Sequence, residues 1–196
     1  MKKSSIILIS VVAILVLAFF SGISTYNKLV TERANVNSQW GNVESQYQRR
    51  ADLIPNLVST VKGYATHESS TLEGVMAARA KATQITIDPK NLTPEKLQEY
   101  QAAQGQVGAA LGRLMMITEN YPNLKANENF LELQAQLEGT ENRISVERTR
   151  YNDVAKSYEV TIQSFPAVIF ARLFGFEKKP YFEAEKAAEK APSVKF

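Results

Sequence analysis

The chain has 196 residues, 44% of them apolar, and no Cys. That is enough for one domain plus an anchor, and it excludes disulfides, thiolate chemistry and metal ligation by sulfur. The net charge of +3 is not placed for nucleic acid: residues 26–176 hold 16 Lys and Arg against 16 Asp and Glu, and the excess sits at Lys2, Lys3 and in the tail. Arg143, Arg148 and Arg150 alternate with Glu141 and Glu147, a solvated mixed face and not the basic stripe of a nucleic-acid binder.

Ile6 to Ile23 is a run of 18 uncharged apolar and small residues preceded by Lys2 and Lys3. At about 1.5 Å per residue it nearly matches a hydrocarbon core of roughly 30 Å. A cleaved signal peptide would need a shorter apolar region and an A-x-A-like site. FFSGISTYN offers only Gly22 and Ser24, so residues 6–23 read as an uncleaved signal anchor contacting bilayer lipid, and residues 1–25 as the anchor region. The positive-inside rule favours an N-terminus in the cytoplasm and the body outside, although Lys28 and Arg33 narrow the margin.

Beyond the anchor, large residues recur at steps of three and four: Tyr26, Leu29, Arg33, Val36, Trp40, Val43, Tyr47, Arg50, Ile54, Leu57, Val61, Tyr64. The mean step of 3.5 is that of a helix keeping one side against its neighbours. The spacing predicts one long helix from residue 26 to about 83, roughly 85 Å in length. Pro55 interrupts it, but the stripe keeps phase through Leu53, Ile54 and Leu57, which predicts a kink and not a break.

TIDPKNL (86–92) reads as a loop. Thr93-Pro94-Glu95 opens a second helix to about Asn120, with Thr as N-cap and Pro at the first helical position. It carries two stripes. One is large and apolar: Leu97, Tyr100, Val107, Leu111, Leu114, Thr118. The other is small: Ala102, Gly105, Gly108, Ala109, Gly112. Each helical Gly costs about 1 kcal/mol relative to Ala, so the small stripe predicts close approach of another backbone, within the bundle or from a second subunit. After the turn at 121–124, Asn127 caps a third helix whose face is Phe130, Leu133, Leu137, Ile144, Tyr151, Tyr158 and Ile162, ending near Phe165 and Pro166. Short connections make neighbouring helices antiparallel. FPAVIFARLFGF (165–176), with Gly175 as its C-cap, is too short to span a bilayer. It is either a lid on the bundle or a surface for lipid or another subunit. Residues 177–196 read as a mobile tail with aromatic anchors at Tyr181, Phe182 and Phe196.

No reaction is legible. His67-Glu68 lacks the second His four residues on that a zinc site needs, and the chain has no other His. There is no G-x-S-x-G elbow, GQVGAALG lacks the Lys-Ser/Thr ending of a phosphate loop, and the Glu-x-x-His pairs of di-iron bundles are absent. Catalytic, metal and cofactor residues are therefore expected to be none. Arg33 and Arg50 fall on the apolar stripe. Either their stems pack while their heads reach water, or they pair with an acid from a neighbouring helix and set register.

The pieces YNKLV (26–30), RRADLIPNLVSTVKGYATHE (49–68), AAR (77–79), ENYPNLKANENFLELQAQLEGTENRISVERTRYN (119–152), FPAVIFARLFGFEKKPYF (165–182) and APSVKF (191–196) resemble the LemA family over nearly the whole chain. The resemblance implies a bacterial single-pass protein of the cytoplasmic membrane with an antiparallel bundle of long helices over residues 26–176. It implies no settled activity. An envelope or membrane-stress role, and a membrane protease or other envelope protein as partner, follow from association only.

The expected fold is all-α: an N-terminal transmembrane helix continuing into a long kinked helix packed with two further helices in a coiled-coil-like bundle. The expected function is a membrane-anchored scaffold or adaptor that forms homo-oligomers, without catalysis. Its interaction residues are Leu53, Ile54, Pro55, Leu57, Gly105, Gly108, Gly112, Phe165, Phe170 and Phe174. The alternative is a sensor binding a lipid or small molecule between helices near Trp40 and Tyr47, which requires a cavity of a few hundred Å³.

Overall fold

The computed structural model describes residues 3–183. Every regular element among them is helical: α1 (Lys3–Lys62), α2 (Ser69–Gln84), α3 (Pro94–Thr118), α4 (Pro122–Lys125), α5 (Glu128–Gln163) and α6 (Ala167–Leu173), with one 3₁₀ turn at Pro89–Asn91. The all-α bundle is as expected. The extent of the first body helix is not. In place of one helix running to residue 83, α1 stops at Lys62 and α2 begins at Ser69. The reversal starts at Gly63, where the amides of Tyr64 and Ala65 both donate to the carbonyl of Val61. Ala65, with no exposure, plugs the turn from inside, while Thr66 and His67 face water.

The described residues form two compact units, residues 3–38 with 153–179 and residues 39–152 with 180–183. In the larger unit, side-chain pairings give the helix directions. Gln39 of α1 meets Glu147 of α5, and Arg50 meets Glu141, so α5 runs against α1. Arg79 of α2 meets Ala51, and the turn joins α1 directly to α2, so α2 also runs against α1. Tyr100 lies against Trp40 and Tyr47, and Gln104, one turn on, against Arg50, so α3 runs with α1. This is an up-down-up-down arrangement of four helices with short links, one helix more than the periodicity suggested.

The stripe on α1 is the core of the bundle. Val43, Ile54, Leu57 and Val61 are fully buried, and Trp40 and Tyr47 nearly so. From α3, Ala103, Val107, Ala110, Leu111 and Leu114 join the cluster, with Leu124 of α4 and Phe130 and Leu137 of α5. Burying side chains of this size stabilises by roughly 1.5–3 kcal/mol each. The helix starts are capped as their sequences require. The Thr93 hydroxyl accepts from the Lys96 amide at 3.3 Å, and Asn127 Oδ1 accepts from the Phe130 amide at 3.0 Å.

In the smaller unit Leu29, Val36, Ala155, Tyr158, Ile162, Ala167, Ala171 and Phe176 are buried. After α5 the chain turns through Phe165 and Pro166 into α6, then reverses at Gly175, whose φ is 67°. The Phe176 amide donates to the Ala171 carbonyl across this reversal, a left-handed helix cap that favours Gly. The returning segment climbs along α1. Phe170 lies at Gly22, the Phe174 ring packs at 4.9 Å on Tyr26, and the Phe176 ring lies under the Arg33 guanidinium at 4.6 Å.

Candidate functional site

Three features of the larger unit are candidates. The first is a polar centre inside the helices. Arg50 reaches the α1 stripe at a position where the period calls for an apolar residue, and it is 3% exposed. Its Nη1 donates to Glu141 at 2.7 Å. Its Nη2 donates to the side-chain and backbone oxygens of Gln104, at 2.6 and 3.0 Å. The guanidinium also lies over the Tyr47 ring at 5.1 Å. Of the two readings open for Arg50, the geometry selects pairing with a neighbour. One fork ties α1 to both α3 and α5 and penalises any slip between them. Beside it is a cleft of about 180 Å³ between α1, α2 and α3, lined by Arg50, Ile54, Arg79, Tyr100 and Gln104.

The second is an aromatic cluster. Trp40 is 1% exposed, and its indole stacks on Phe182 at 5.7 Å with planes 8° apart. Tyr100 and Tyr151 close its other sides at 5.5 and 5.8 Å. Phe182 is held by Asn152, which donates to its carbonyl at 2.9 Å and accepts from its amide at 2.8 Å. Burial pushes the Tyr100 and Tyr151 phenols up from their ordinary range, so both are neutral. Of the ligand site expected near Trp40 and Tyr47, the Trp40 side is covered by the chain's own Phe182, while Tyr47 lines an open space of about 410 Å³. The anchor role expected of Phe182 is met, while Phe196 and residues 184–196 lie outside the described residues.

The third is an open groove between α3 and α5. Its two adjoining parts, of about 410 and 430 Å³, share Gly108 and Glu141 and have Gly105, Gly108 and Gly112 along one wall. Leu111, Met115, Leu137 and Ile144 line it from both helices. The expected close backbone over this stripe is absent among the described residues. All three glycines are exposed, and a methyl group added at any of them would meet open space.

The remaining expected interaction residues divide by burial. Ile54 and Leu57 are fully buried in the chain's own core and offer no outer surface, while Leu53 and Pro55 beside them keep partial exposure. The phase of the stripe that made it conspicuous is the phase that turns it inward. Phe165 and Phe174 are 82% and 52% exposed, and Phe170 rests on Gly22. Three residues escaped sequence reasoning: Gln104, which no motif marked; Glu141, read as part of a solvated face but paired with Arg50; and Arg79. Arg79 Nε donates to the Ala51 carbonyl at 2.6 Å, and only the reversal after Lys62 brings the two together. His67 is exposed in that turn.

Comparison with known proteins identifies the family. The model of the LemA family matches residues 39–196. Magnetosome protein MamQ 2 of Paramagnetospirillum magneticum is 30% identical over 86% of this chain and 68% of its own length. Magnetosome protein MamQ of Magnetospirillum gryphiswaldense is 29% identical over 93% of this chain and 74% of its own. Protein LemA of Metamycoplasma hominis is 23% identical over 75% of this chain and 64% of its own. None of these names specifies a reaction. With most of its length matched by the family model and its helices in place, the chain belongs to the LemA family.

Proposed function

We propose that this protein is a membrane-anchored scaffold or adaptor without catalytic activity. The apolar start of α1, the one described helix long and apolar enough to cross a membrane, spans the bacterial cytoplasmic membrane once, and the bundle lies on its outer side. The charged groups inside the bundle serve register. Arg50, Gln104 and Glu141 satisfy one another. The cleft on one side of them, at about 180 Å³, is below the few hundred Å³ expected of a small-molecule site, and the larger space they share with Tyr47, about 410 Å³, is part of the open groove between α3 and α5. What the bundle offers to other molecules is surface.

The observation that carries this reading is the groove between α3 and α5, where Gly105, Gly108 and Gly112 leave open space beside Leu111 and Leu137. Three helical glycines cost stability that nothing in the described chain recovers. A helix of a second copy, packed closely along them, would recover it. A role in envelope stress, with a membrane protease among the partners, follows from family association.

The chain's lack of Cys makes the test direct. Gly108→Cys, in intact membranes and treated with a thiol cross-linker, should give one discrete dimer, and Gly108→Leu should abolish oligomers captured by an amine cross-linker. No dimer from Gly108→Cys, together with only monomer from the unsubstituted chain under the amine cross-linker, would remove self-association. Cross-links to one other protein would leave the adaptor form.

A further inference from the structure

Helix α6 is built with its large residues on the wrong side for a lid. Ala167 and Ala171, four apart, are the residues it buries, at 7% and 4% exposure. Ile169 and Leu173, also four apart and on another face, are 55% and 73% exposed, with Phe165 just before the helix at 82% and Phe174 just after it at 52%. A helix that capped its own unit would put the bulky set inward and the alanines outward. This one buries its alanines, sets the Phe170 ring on Gly22, and presents its remaining large apolar residues to its surroundings.

Its position says what those surroundings are. The Phe170 ring reaches Gly22, where an added methyl group would come within 3.0 Å of it. Gly22 belongs to the last turn of the uncharged run that ends at Ile23. Phe19, Phe20 and Ile23 of that turn are exposed at 66%, 64% and 44%. One turn further along α1, Tyr26 packs on Phe174, and beyond Gly175 the chain climbs away along α1 to Arg33. Helix α6 therefore occupies the level at which the apolar run gives way to charged sequence. Arg172, exposed within α6, stands among its apolar residues as a cation suited to lipid phosphates.

We propose that α6 is an interfacial membrane helix, with Phe165, Ile169, Leu173 and Phe174 seated among the headgroups and upper acyl chains beside the end of the α1 span. This rests on the anchor reading of α1. It adds a second, sideways contact with the lipid, of the kind an amphipathic segment makes when its apolar face is buried roughly 5–10 Å into the interface. A single helix crossing the bilayer is free to rotate about its axis. A second contact off that axis gives the smaller unit one preferred face toward the membrane.

The test uses the full chain reconstituted in vesicles of phosphatidylcholine and phosphatidylglycerol. Four single-Cys variants, Leu173→Cys, Ile169→Cys, Phe20→Cys and Ser157→Cys, each carry an environment-sensitive fluorophore. Spin-labelled lipids quench it, with the label either near the headgroup end of the acyl chain or near its methyl end. Labels at 173 and 169 should be quenched at least about twofold more by the shallow lipid than by the deep one. The label at 20 should be quenched by lipid, and that at 157 should remain as in water. If position 20 is unquenched, the anchor reading fails. If 20 is quenched while 169 and 173 behave like 157, the span stands and the interfacial helix is overturned. If 169 and 173 are shielded from water yet unquenched by either lipid, a protein covers them, and the proposal is equally overturned.

Discussion

Arg79 donates its Nε hydrogen, at 2.6 Å, to the carbonyl of Ala51, the residue four before Pro55. In an unbroken helix that carbonyl would accept from the amide of residue 55, and proline has none. The guanidinium from α2 supplies the missing donor. This lets α1 carry a proline inside its core-facing stretch, and it fastens α2 to α1 at the same point.

Arg79→Ala should therefore destabilise the bundle by about 1.5–3 kcal/mol, the range for a hydrogen bond to a charged group. In a Pro55→Ala background, where residue 55 can donate to Ala51 itself, the same substitution should cost clearly less. Denaturant unfolding of the four proteins in detergent closes the cycle. Equal costs in both backgrounds would show that Arg79 does not act through the orphaned carbonyl.

Two ion pairs of nearly equal length should differ in worth. Arg50–Glu141 at 2.7 Å has its Arg side chain only 4% exposed, whereas Lys125–Glu119 at 2.6 Å has both side chains about half exposed or more. Glu141→Ala leaves a guanidinium inside the bundle short of one acceptor, and should cost roughly 2–4 kcal/mol. Lys125→Ala should change stability by less than about 1 kcal/mol. Midpoint shifts in urea compare them directly, and similar costs would contradict the register role of Arg50.

Phe182→Ala should cost about 3 kcal/mol or more, as large aromatic truncations in cores do. The chain has a single Trp, so its fluorescence reports on Trp40 alone. Removing the ring stacked on that indole should shift the emission to the red before any unfolding. Unchanged emission would mean that Phe182 does not cover Trp40 in solution.

The raised phenols of Tyr100 and Tyr151 give stability a defined alkaline limb. Both are raised chiefly by burial. In the unfolded chain a phenol releases its proton near pH 10, while in the folded bundle it keeps it. Above that pH the unfolded state binds fewer protons, so stability is whole below about pH 10 and falls as pH rises beyond it. Tyr100→Phe and Tyr151→Phe should each flatten that limb. Phenolate absorbance from these two residues should appear together with loss of helix, not before it.

The bundle's interior was readable from sequence because a period of 3.5 held from Leu29 to Val61, and each position between obeys it. The same regularity concealed the reversal at Gly63. Tyr64 continues the phase by chance of spacing, although the polar string from Thr66 to Ser70 carries the turn chemistry. The small stripe on α3 was visible, but its openness was not, since glycine spacing does not say whether a neighbour is present. Phe182 sits in a stretch rich in Lys and Glu, and composition alone gives it no reason to fold back. Arg79 has no sequence signature at all, because its partner is a backbone atom reached only after the chain doubles on itself.

Phe182 follows all six described α-helices, yet it covers a residue in the first of them. During synthesis, then, the indole face of Trp40 is sealed only once Phe182 has emerged, and until that moment one side of the aromatic cluster has no ring upon it.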